Sequence, residues 1–139
     1  MKRVRLLILG YSNFMQKRVL PYIIKNKNID YCICSKSQKI NLKQKIIYNN
    51  YIEALSKTSP DLVYISLTNN MHFEITKIAL MKGYNVIVDK PLSLSLKETN
   101  ILLKIAKKKS LLLAEATLFQ YHTVFTKMMQ LCGSRKNIT

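Results

Sequence analysis

A run of three β-branched residues at positions 86–88 constrains this chain more than any other feature of its sequence. Continuous apolar runs of this kind are typical of strands buried on both faces, as in a parallel sheet covered by helices. The run stops at Asp89-Lys90-Pro91, which puts two opposite charges at the carboxyl end of the strand. Open parallel sheets bind ligands at that end, and Pro91 restricts Lys90 to an extended conformation. The stretch therefore predicts a ligand site, although an ordinary solvated turn could carry the same residues.

Strands and helices alternate along the whole chain. Apolar runs predict strands at 4–9, 29–34, 46–48, 62–67, 86–88 and 111–114. Apolar positions at helical spacing predict helices at 16–25, 50–56, 73–82, 94–109 and 125–131, the first interrupted by Pro21. This alternation indicates an α/β fold, a Rossmann-type doubly wound parallel sheet.

The segment after the first predicted strand lies where a dinucleotide-binding fold carries Gly-x-Gly-x-x-Gly. Gly10 is the first glycine, Ser12 and Met15 replace the second and third, and Asn13 lies between them. The motif needs a tight turn, then close approach of backbone to pyrophosphate, then close packing of helix on strand. We expect Ser12 to offer its hydroxyl to phosphate, and Met15 to push the helix outward or to point along it. Alone, this turn is an incomplete match.

The second predicted strand ends in Ser35-Lys36-Ser37. In this architecture the residue at that point meets the adenosine ribose, where an acid suits the free 2′-hydroxyl of NAD and a basic side chain suits the 2′-phosphate of NADP. The segment carries no acid, which favours NADP(H) and leaves NAD(H) as the alternative cofactor. A plain polar loop would have the same three residues.

Length and composition limit the chain to one domain, because 139 residues with 48% hydrophobic content bury one core of ordinary size. The absence of a signal-peptide pattern and of a long apolar stretch predicts a soluble, cytoplasmic protein. Cys32, Cys34 and Cys132 lack the spacing of a metal or redox site, so we expect no bound metal. The first two share one face of a strand and are interpreted as small apolar core residues.

The formal net charge of +16 would attract polyanions at low salt. The lysines are scattered, however, apart from a run at 107–109 that ends a predicted helix, where positive charge is favourable. No basic stripe is interleaved with the eight tyrosines. We interpret the charge as solvated surface and expect neither specific nucleic-acid binding nor membrane binding.

Two elements in fixed order resemble the amino-terminal domain of the glucose-fructose oxidoreductase, inositol dehydrogenase and rhizopine catabolism (Gfo/Idh/MocA) family. One is Asn69-x-x-His72, preceded by Thr68 where the family usually has Pro, and the other is the Asp-Lys-Pro segment at 89–91. The resemblance covers nearly the whole chain and includes a basic pair and a Leu-Pro pair in the first helix. Those residues are Lys17, Arg18, Leu20 and Pro21. Near the carboxyl terminus Gln120 and Thr123 depart from the Arg and Pro of many members.

The resemblance implies hydride transfer between a nicotinamide cofactor and a hydroxyl or carbonyl carbon of a sugar, cyclitol or sugar nucleotide. It implies that Lys90 hydrogen-bonds the reacting oxygen as the catalytic residue, and that Asp89 helps to hold the cofactor ribose. We expect His72 to cap a helix rather than to act in catalysis. With the turn and the end of the second strand, the predicted cofactor-binding residues are Gly10, Ser12, Asn13, Ser35, Lys36, Ser37, Thr68, Asn69, His72, Asp89, Lys90 and Pro91.

From the resemblance, we expect that the family's second, substrate-binding domain is missing. Residues 1–118 are predicted to form the NAD(P)-binding domain and residues 119–139 the start of the bridge into a truncated substrate domain. We expect this chain alone to be inactive and to expose Leu118, Phe119 and Tyr121, which would promote self-association into a homo-oligomer. The alternatives are a non-catalytic nucleotide-binding domain, a decayed fragment and a basic nucleic-acid-binding protein.

Overall fold

A six-stranded parallel sheet forms the centre of the computed structural model, which describes residues 3–36 and 47–133. The strands are β1 (Val4–Leu9), β2 (Ile29–Cys34), β3 (Ile47–Tyr48), β4 (Leu62–Ile65), β5 (Asn85–Val88) and β6 (Leu113–Glu115). They lie in the order β3-β2-β1-β4-β5-β6, and every neighbouring pair is parallel. The chain winds outward from β1 to β3 and then returns to the other side of β1 with β4. This order confirms the predicted doubly wound α/β sheet.

Five α-helices connect the strands or follow them in the described ranges. They are α1 (Leu20–Lys25), α2 (Tyr51–Lys57), α3 (Asn69–Met81), α4 (Leu96–Lys109) and α5 (Thr123–Gly133). A π-helical turn, Met15–Val19, leads into α1, and a 3-10 helix, Leu118–Tyr121, precedes α5.

Side chains at the helix ends account for several of these boundaries. The Asn50 side chain accepts hydrogen bonds from two amides in the first turn of α2, and Ser95 accepts one from the amide of Glu98 in α4. Helix α4 ends at Ser110, which adopts the left-handed conformation with a φ of 54°. The lysine run 107–109 lies in the last turn of α4, as predicted, where positive charge stabilises the helix.

The sheet has one apolar cluster on each face because side chains of a strand alternate between faces. In β1, Leu7 and Leu9 belong to the larger cluster, with α3 and α4, whereas Leu6 and Ile8 belong to the smaller one, with α1. Three of these four leucine and isoleucine side chains have no exposed surface. Strand β1 is therefore buried on both sides, as its continuous apolar run predicts.

The first helix differs from its prediction in one respect. Pro21 does not interrupt it but lies in the first turn of α1, where a residue without an N–H is tolerated. The side chain of Met15 is fully buried in the smaller cluster, at the start of the π-helical turn. An outward displacement of the helix by Met15 stays a prediction.

The two cysteines of β2 pack as predicted. Cys34 is fully buried in the larger cluster and Cys32, which is half-buried, packs against the same cluster. Burial raises the pKa of the Cys34 thiol to about 12 and so suppresses its nucleophilic thiolate form. Cys132 is exposed on α5.

The segment after β6 exposes apolar side chains. Leu118 and Phe119 retain more than half of their accessible surface and Tyr121 retains 86%. Their exposure confirms this part of the expectation, whereas the proposed domain boundary at residue 118 stays a prediction. None of the helices in the described ranges is long and apolar enough to cross a bilayer.

Two glycines have positive φ angles but different surroundings. Gly10 follows β1 with a φ of 101°, and a Cβ atom built on it would lie 2.1 Å from the carbonyl oxygen of Ser66. Gly83 lies between α3 and β5 with a φ of 89°, and a Cβ atom there would have no neighbour within 4 Å. Gly10 therefore permits both a left-handed turn and the close approach of two backbones.

We predict that Gly10→Ala lowers the free energy of unfolding by at least about 3 kcal/mol, because backbone strain adds to a steric clash. Gly83→Ala is the matched control and should cost only about 1 kcal/mol, the strain alone. Urea denaturation of the three proteins measures both losses. Equal losses would contradict the role assigned to the contact between Gly10 and Ser66.

Candidate functional site

A cleft of about 300 Å³ opens at the carboxyl ends of the central strands. It lies beside β1, where the strand order reverses, and so at the position where open parallel sheets bind ligands. Its walls come from the segments after β1, β4, β5 and β6. The lining residues are Phe14, Leu67, Asn69, His72, Asp89, Lys90 and Ala116. Of the predicted site residues, the structure thus brings Asn69, His72, Asp89 and Lys90 to one cavity.

The Asp89 carboxylate is held by two hydroxyl groups of β4 and its continuation. Tyr64 donates to Oδ1 at 2.7 Å, and Ser66 donates to Oδ2 at 2.6 Å. Burial and the hydrogen bond to Asp89 raise the pKa of the Tyr64 phenol, so it remains a donor through the neutral pH range. Because both donors are neutral, they fix the direction of the carboxylate without cancelling its charge.

Ser12 makes an internal hydrogen bond. Its Oγ lies 2.7 Å from the Oγ of Ser66 and accepts a hydrogen bond of 3.0 Å from the amide of Met15. The side chain of the second motif position is therefore turned toward β4. The expected hydrogen bond from this hydroxyl to phosphate stays a prediction. Neighbouring Asn13 is exposed.

His72 joins two loops of the cleft instead of capping a helix. Its ring is fully buried, with Nδ1 2.6 Å from the carbonyl oxygen of Pro91 and Nε2 3.0 Å from that of Leu67. A capping side chain would instead accept hydrogen bonds from first-turn amides. The prediction of a cap is thus wrong, because α3 begins earlier than expected, at Asn69, which places His72 inside the helix. Thr68 is the N-cap residue, and its hydroxyl contacts Asn70 rather than a first-turn amide.

The backbone of the Asp-Lys-Pro segment is also fixed from β6. The Glu115 carboxylate accepts a hydrogen bond of 2.7 Å from the amide of Leu92, while His72 contacts the preceding carbonyl. The peptide bond between Lys90 and Pro91 is cis. Lys90 is exposed, and within residues 3–36 and 47–133 no hydrogen bond or ion pair engages its ammonium group. A fixed backbone thus presents a free cation at the wall of the cleft.

The residues predicted to meet the adenosine ribose lie beside this cleft, at the end of β2. Ser35 is buried and its amide donates to the carbonyl of Tyr48 at 2.8 Å. Lys36 is exposed, with its Nζ 5.5 Å from the centre of the Tyr51 ring. This cation–π contact leaves the ammonium at the surface. Ser37 lies outside the described residues.

Three residues that contact the site were not predicted from the sequence: Tyr64, Ser66 and Glu115. Tyr64 and Ser66 are polar residues two positions apart in an otherwise apolar run that ends near the site. That spacing puts both on one face of the strand, and it was the signal available for them. Glu115 is a single acidic residue at the end of a short strand, and this pattern is a weaker indication of a site residue. Among the described residues, no cluster of three His, Cys, Asp or Glu side chains could hold a metal ion.

The strand order, the turn at Gly10 and the cleft define a Rossmann-type nucleotide-binding domain. The family model described as "Oxidoreductase family, NAD-binding Rossmann fold" (GFO_IDH_MocA) matches residues 4–117. The chain therefore belongs to the Gfo/Idh/MocA oxidoreductase family, and it contains the NAD-binding domain of that family.

Curated relatives share moderate identity with the chain. D-xylose 1-dehydrogenase (NADP(+)) 2 of Haloferax volcanii is 26% identical over 133 residues, which are 91% of this chain and 41% of the relative. A dTDP-3,4-didehydro-2,6-dideoxy-alpha-D-glucose 3-reductase of Streptomyces violaceoruber is 36% identical over 81 residues, 58% of this chain and 24% of the relative. The chain spans less than half the length of these relatives.

Solved structures share the fold. A variant of a 3-ketoreductase from Actinomadura kijaniata, in complex with TDP-benzene and NADP, superposes with a TM-score of 0.84 at 21% identity. The superposition covers 96% of this chain and 43% of that protein. At this level of identity the similarity shows a common fold only.

We predict that His72→Phe lowers the free energy of unfolding by about 1–3 kcal/mol, because a ring is kept while the hydrogen bonding between His72 and the loop carbonyl groups is lost. Thr76→Val is the matched control. Thr76 is fully buried on the same helix, but within the described residues its hydroxyl has no hydrogen-bond partner, so its loss should cost nothing. Chemical denaturation compares the two variants, and similar losses would show that His72 contributes packing alone.

Proposed function

We propose that this chain binds a nicotinamide dinucleotide across the carboxyl edge of its sheet, with NADP(H) preferred to NAD(H). The observation that carries the proposal is the cleft itself, where an oriented carboxylate, Asp89, lies next to an exposed cation, Lys90. A carboxylate accepts hydrogen bonds from ribose hydroxyl groups, and an ammonium group donates to an oxygen that gains negative charge. The two groups together suit a site in which a bound cofactor transfers hydride.

The turn after β1 suits the pyrophosphate. The close packing of Gly10 on Ser66 keeps this turn tight, which is the task of the first glycine in the dinucleotide motif. The Ser12 hydroxyl lies against Ser66, and its proton would turn to a phosphate oxygen when the ligand binds. Together with Asn13, these residues would contact the pyrophosphate. Thr68 and Asn69, on the opposite wall, would lie near the nicotinamide.

The preference for NADP(H) rests on the end of β2. Lys36 is the exposed basic residue there, and Ser35 and Ser37 flank it in the sequence. A 2′-phosphate would gain a charge-assisted hydrogen bond from Lys36, whereas a free 2′-hydroxyl would find no carboxylate in this segment. Relatives whose names specify NADP(+) support the same choice.

We further propose that the complete reaction transfers hydride between the bound cofactor and a sugar or sugar-nucleotide carbon. The cofactor supplies the hydride chemistry, and Lys90 would hydrogen-bond the reacting substrate oxygen and stabilise its charge. His72 and Glu115 would keep the Lys90 backbone in place. The xylose dehydrogenase and dTDP-sugar reductase relatives support this substrate class. The wall that orients the substrate is proposed to come from a second domain.

Cofactor preference tests the first part of the proposal. We predict tighter binding of NADP(H) than NAD(H), with the preference shrinking as salt rises, because a phosphate–lysine contact is screened by ions. Lys36→Ala should weaken NADP(H) binding about tenfold and leave NAD(H) binding nearly unchanged. Lys27→Ala, at the opposite end of β2, is the matched control and should change neither. Titrations at two ionic strengths decide this, and equal affinities for both cofactors would refute the preference.

Turnover tests the second part. We predict no hydride transfer by this chain alone, because a substrate without its second wall is not oriented, and orientation accounts for about 7–11 kcal/mol of the barrier. Assays with a panel of sugars and sugar nucleotides measure this, first with the chain and then with a family-type second domain fused after Cys132. Activity of the unfused chain would contradict the need for that wall. Full activity of fused Lys90→Ala would contradict the role of Lys90.

A further inference from the structure

Ser66 lies at the centre of a series of hydrogen bonds at the carboxyl edge of the sheet. Its side chain is 2% exposed, and its Oγ contacts Ser12 on one side and Asp89 on the other. The amide of Met15 extends the series beyond Ser12. The contacts thus link the turn after β1 to the carboxylate after β5 through one buried hydroxyl.

The two end groups of this series of hydrogen bonds determine the direction of each bond in it. A backbone amide can only donate, and a carboxylate can only accept. Met15 therefore donates to Ser12, Ser12 donates its single hydroxyl proton to Ser66, and Ser66 donates to Oδ2 of Asp89. All three hydrogen bonds point toward the carboxylate, an arrangement in which each polarises the next.

We propose that Ser66 is a positioning residue that couples a pyrophosphate site at the turn to a ribose site at Asp89. This inference rests on the proposed binding of a dinucleotide in the cleft. Ser12 occupies the motif position where the chain approaches pyrophosphate most closely, and Asp89 is the oriented acceptor of the cleft. Because the Ser66 hydroxyl has one proton and contacts both groups, a change in the hydrogen bond that Ser12 donates can alter the one that Asp89 accepts.

One reorientation of two hydroxyl groups would serve both parts of the ligand. When Ser12 donates its proton to a phosphate oxygen, Ser66 loses that donor and turns to donate to Ser12. Oδ2 of Asp89 then becomes free to accept a ribose hydroxyl, while Tyr64 keeps the carboxylate in place through Oδ1. The protein keeps one hydrogen bond between the two serines, loses the one from Ser66 to Asp89 and gains two with the ligand, so no buried polar group is left without a partner. The pyrophosphate and the ribose should consequently bind cooperatively.

A double-mutant cycle on the full chain tests this coupling, with NADPH as the probe. Ser12→Ala and Ser66→Ala should each weaken binding about tenfold, and the double variant should also lose about tenfold rather than a hundredfold. Ser12→Thr, which keeps the hydroxyl, should bind within about threefold of the parent chain. Ser56→Ala is the matched control, because the Ser56 hydroxyl bonds only within α2 and to Lys82. Thermal unfolding of each variant checks that it is folded at the temperature of the titration.

The outcomes separate this inference from the proposed function. If the parent chain binds NADPH and Ser66→Ala binds equally well despite a lower melting temperature, Ser66 is purely structural and the coupling is refuted. Multiplicative losses in the double variant would equally refute it, since they indicate independent contacts. If the parent chain does not bind NADPH, the proposed function fails and this inference fails with it. Should Ser66→Ala not fold, Ser12→Gly breaks the same hydrogen bond, and binding as tight as that of the parent would refute the coupling.

Discussion

The pairing of β1 with β4 determines where everything else in this domain can lie. The two strands are parallel neighbours although two strands and two helices separate them in sequence. The segments after both strands contribute walls of the cleft, together with those after β5 and β6. Gly10 directly follows β1, where the absence of a side chain lets the turn contact the Ser66 carbonyl. A single backbone contact therefore sets both the tightness of the turn and the position of the Ser66 side chain.

The central strands could be predicted from the sequence because burial on both faces leaves an unambiguous apolar run, and β1 and β2 have the predicted bounds. Ends of elements were less predictable. Strand β4 ends at Ile65 and α3 begins at Asn69, because Thr68 adopts the extended conformation of an N-cap. The pattern of apolar residues does not indicate this change of conformation. Four of the predicted site residues, Asn69, His72, Asp89 and Lys90, line the cleft. The partners of Ser12 and His72 depend on loop positions that the sequence pattern does not specify.

Electrostatics explain why the site needs neutral donors. The chain has 23 Lys and Arg but only 7 Asp and Glu residues, so cations are abundant and carboxylates scarce. Asp61 and Glu53 each pair with a cation at the surface, Arg5 and Lys57 respectively. Asp89 receives two hydroxyl hydrogen bonds instead. An adjacent ammonium partner would have neutralised it, whereas Tyr64 and Ser66 orient it and leave its charge for a ligand.

The same reasoning separates the two charged groups of the Asp-Lys-Pro segment. Asp89 is half-buried with an oriented side chain, whereas Lys90 is exposed, and the backbone that follows it is held by His72 at the Pro91 carbonyl and by Glu115 at the Leu92 amide. Because the Lys90 side chain is long and flexible, its ammonium group can occupy a range of positions above the fixed backbone. The carboxylate thus defines one geometry, which suits a constant part of a ligand such as a ribose. The ammonium can adjust its position, which suits a variable part of a ligand.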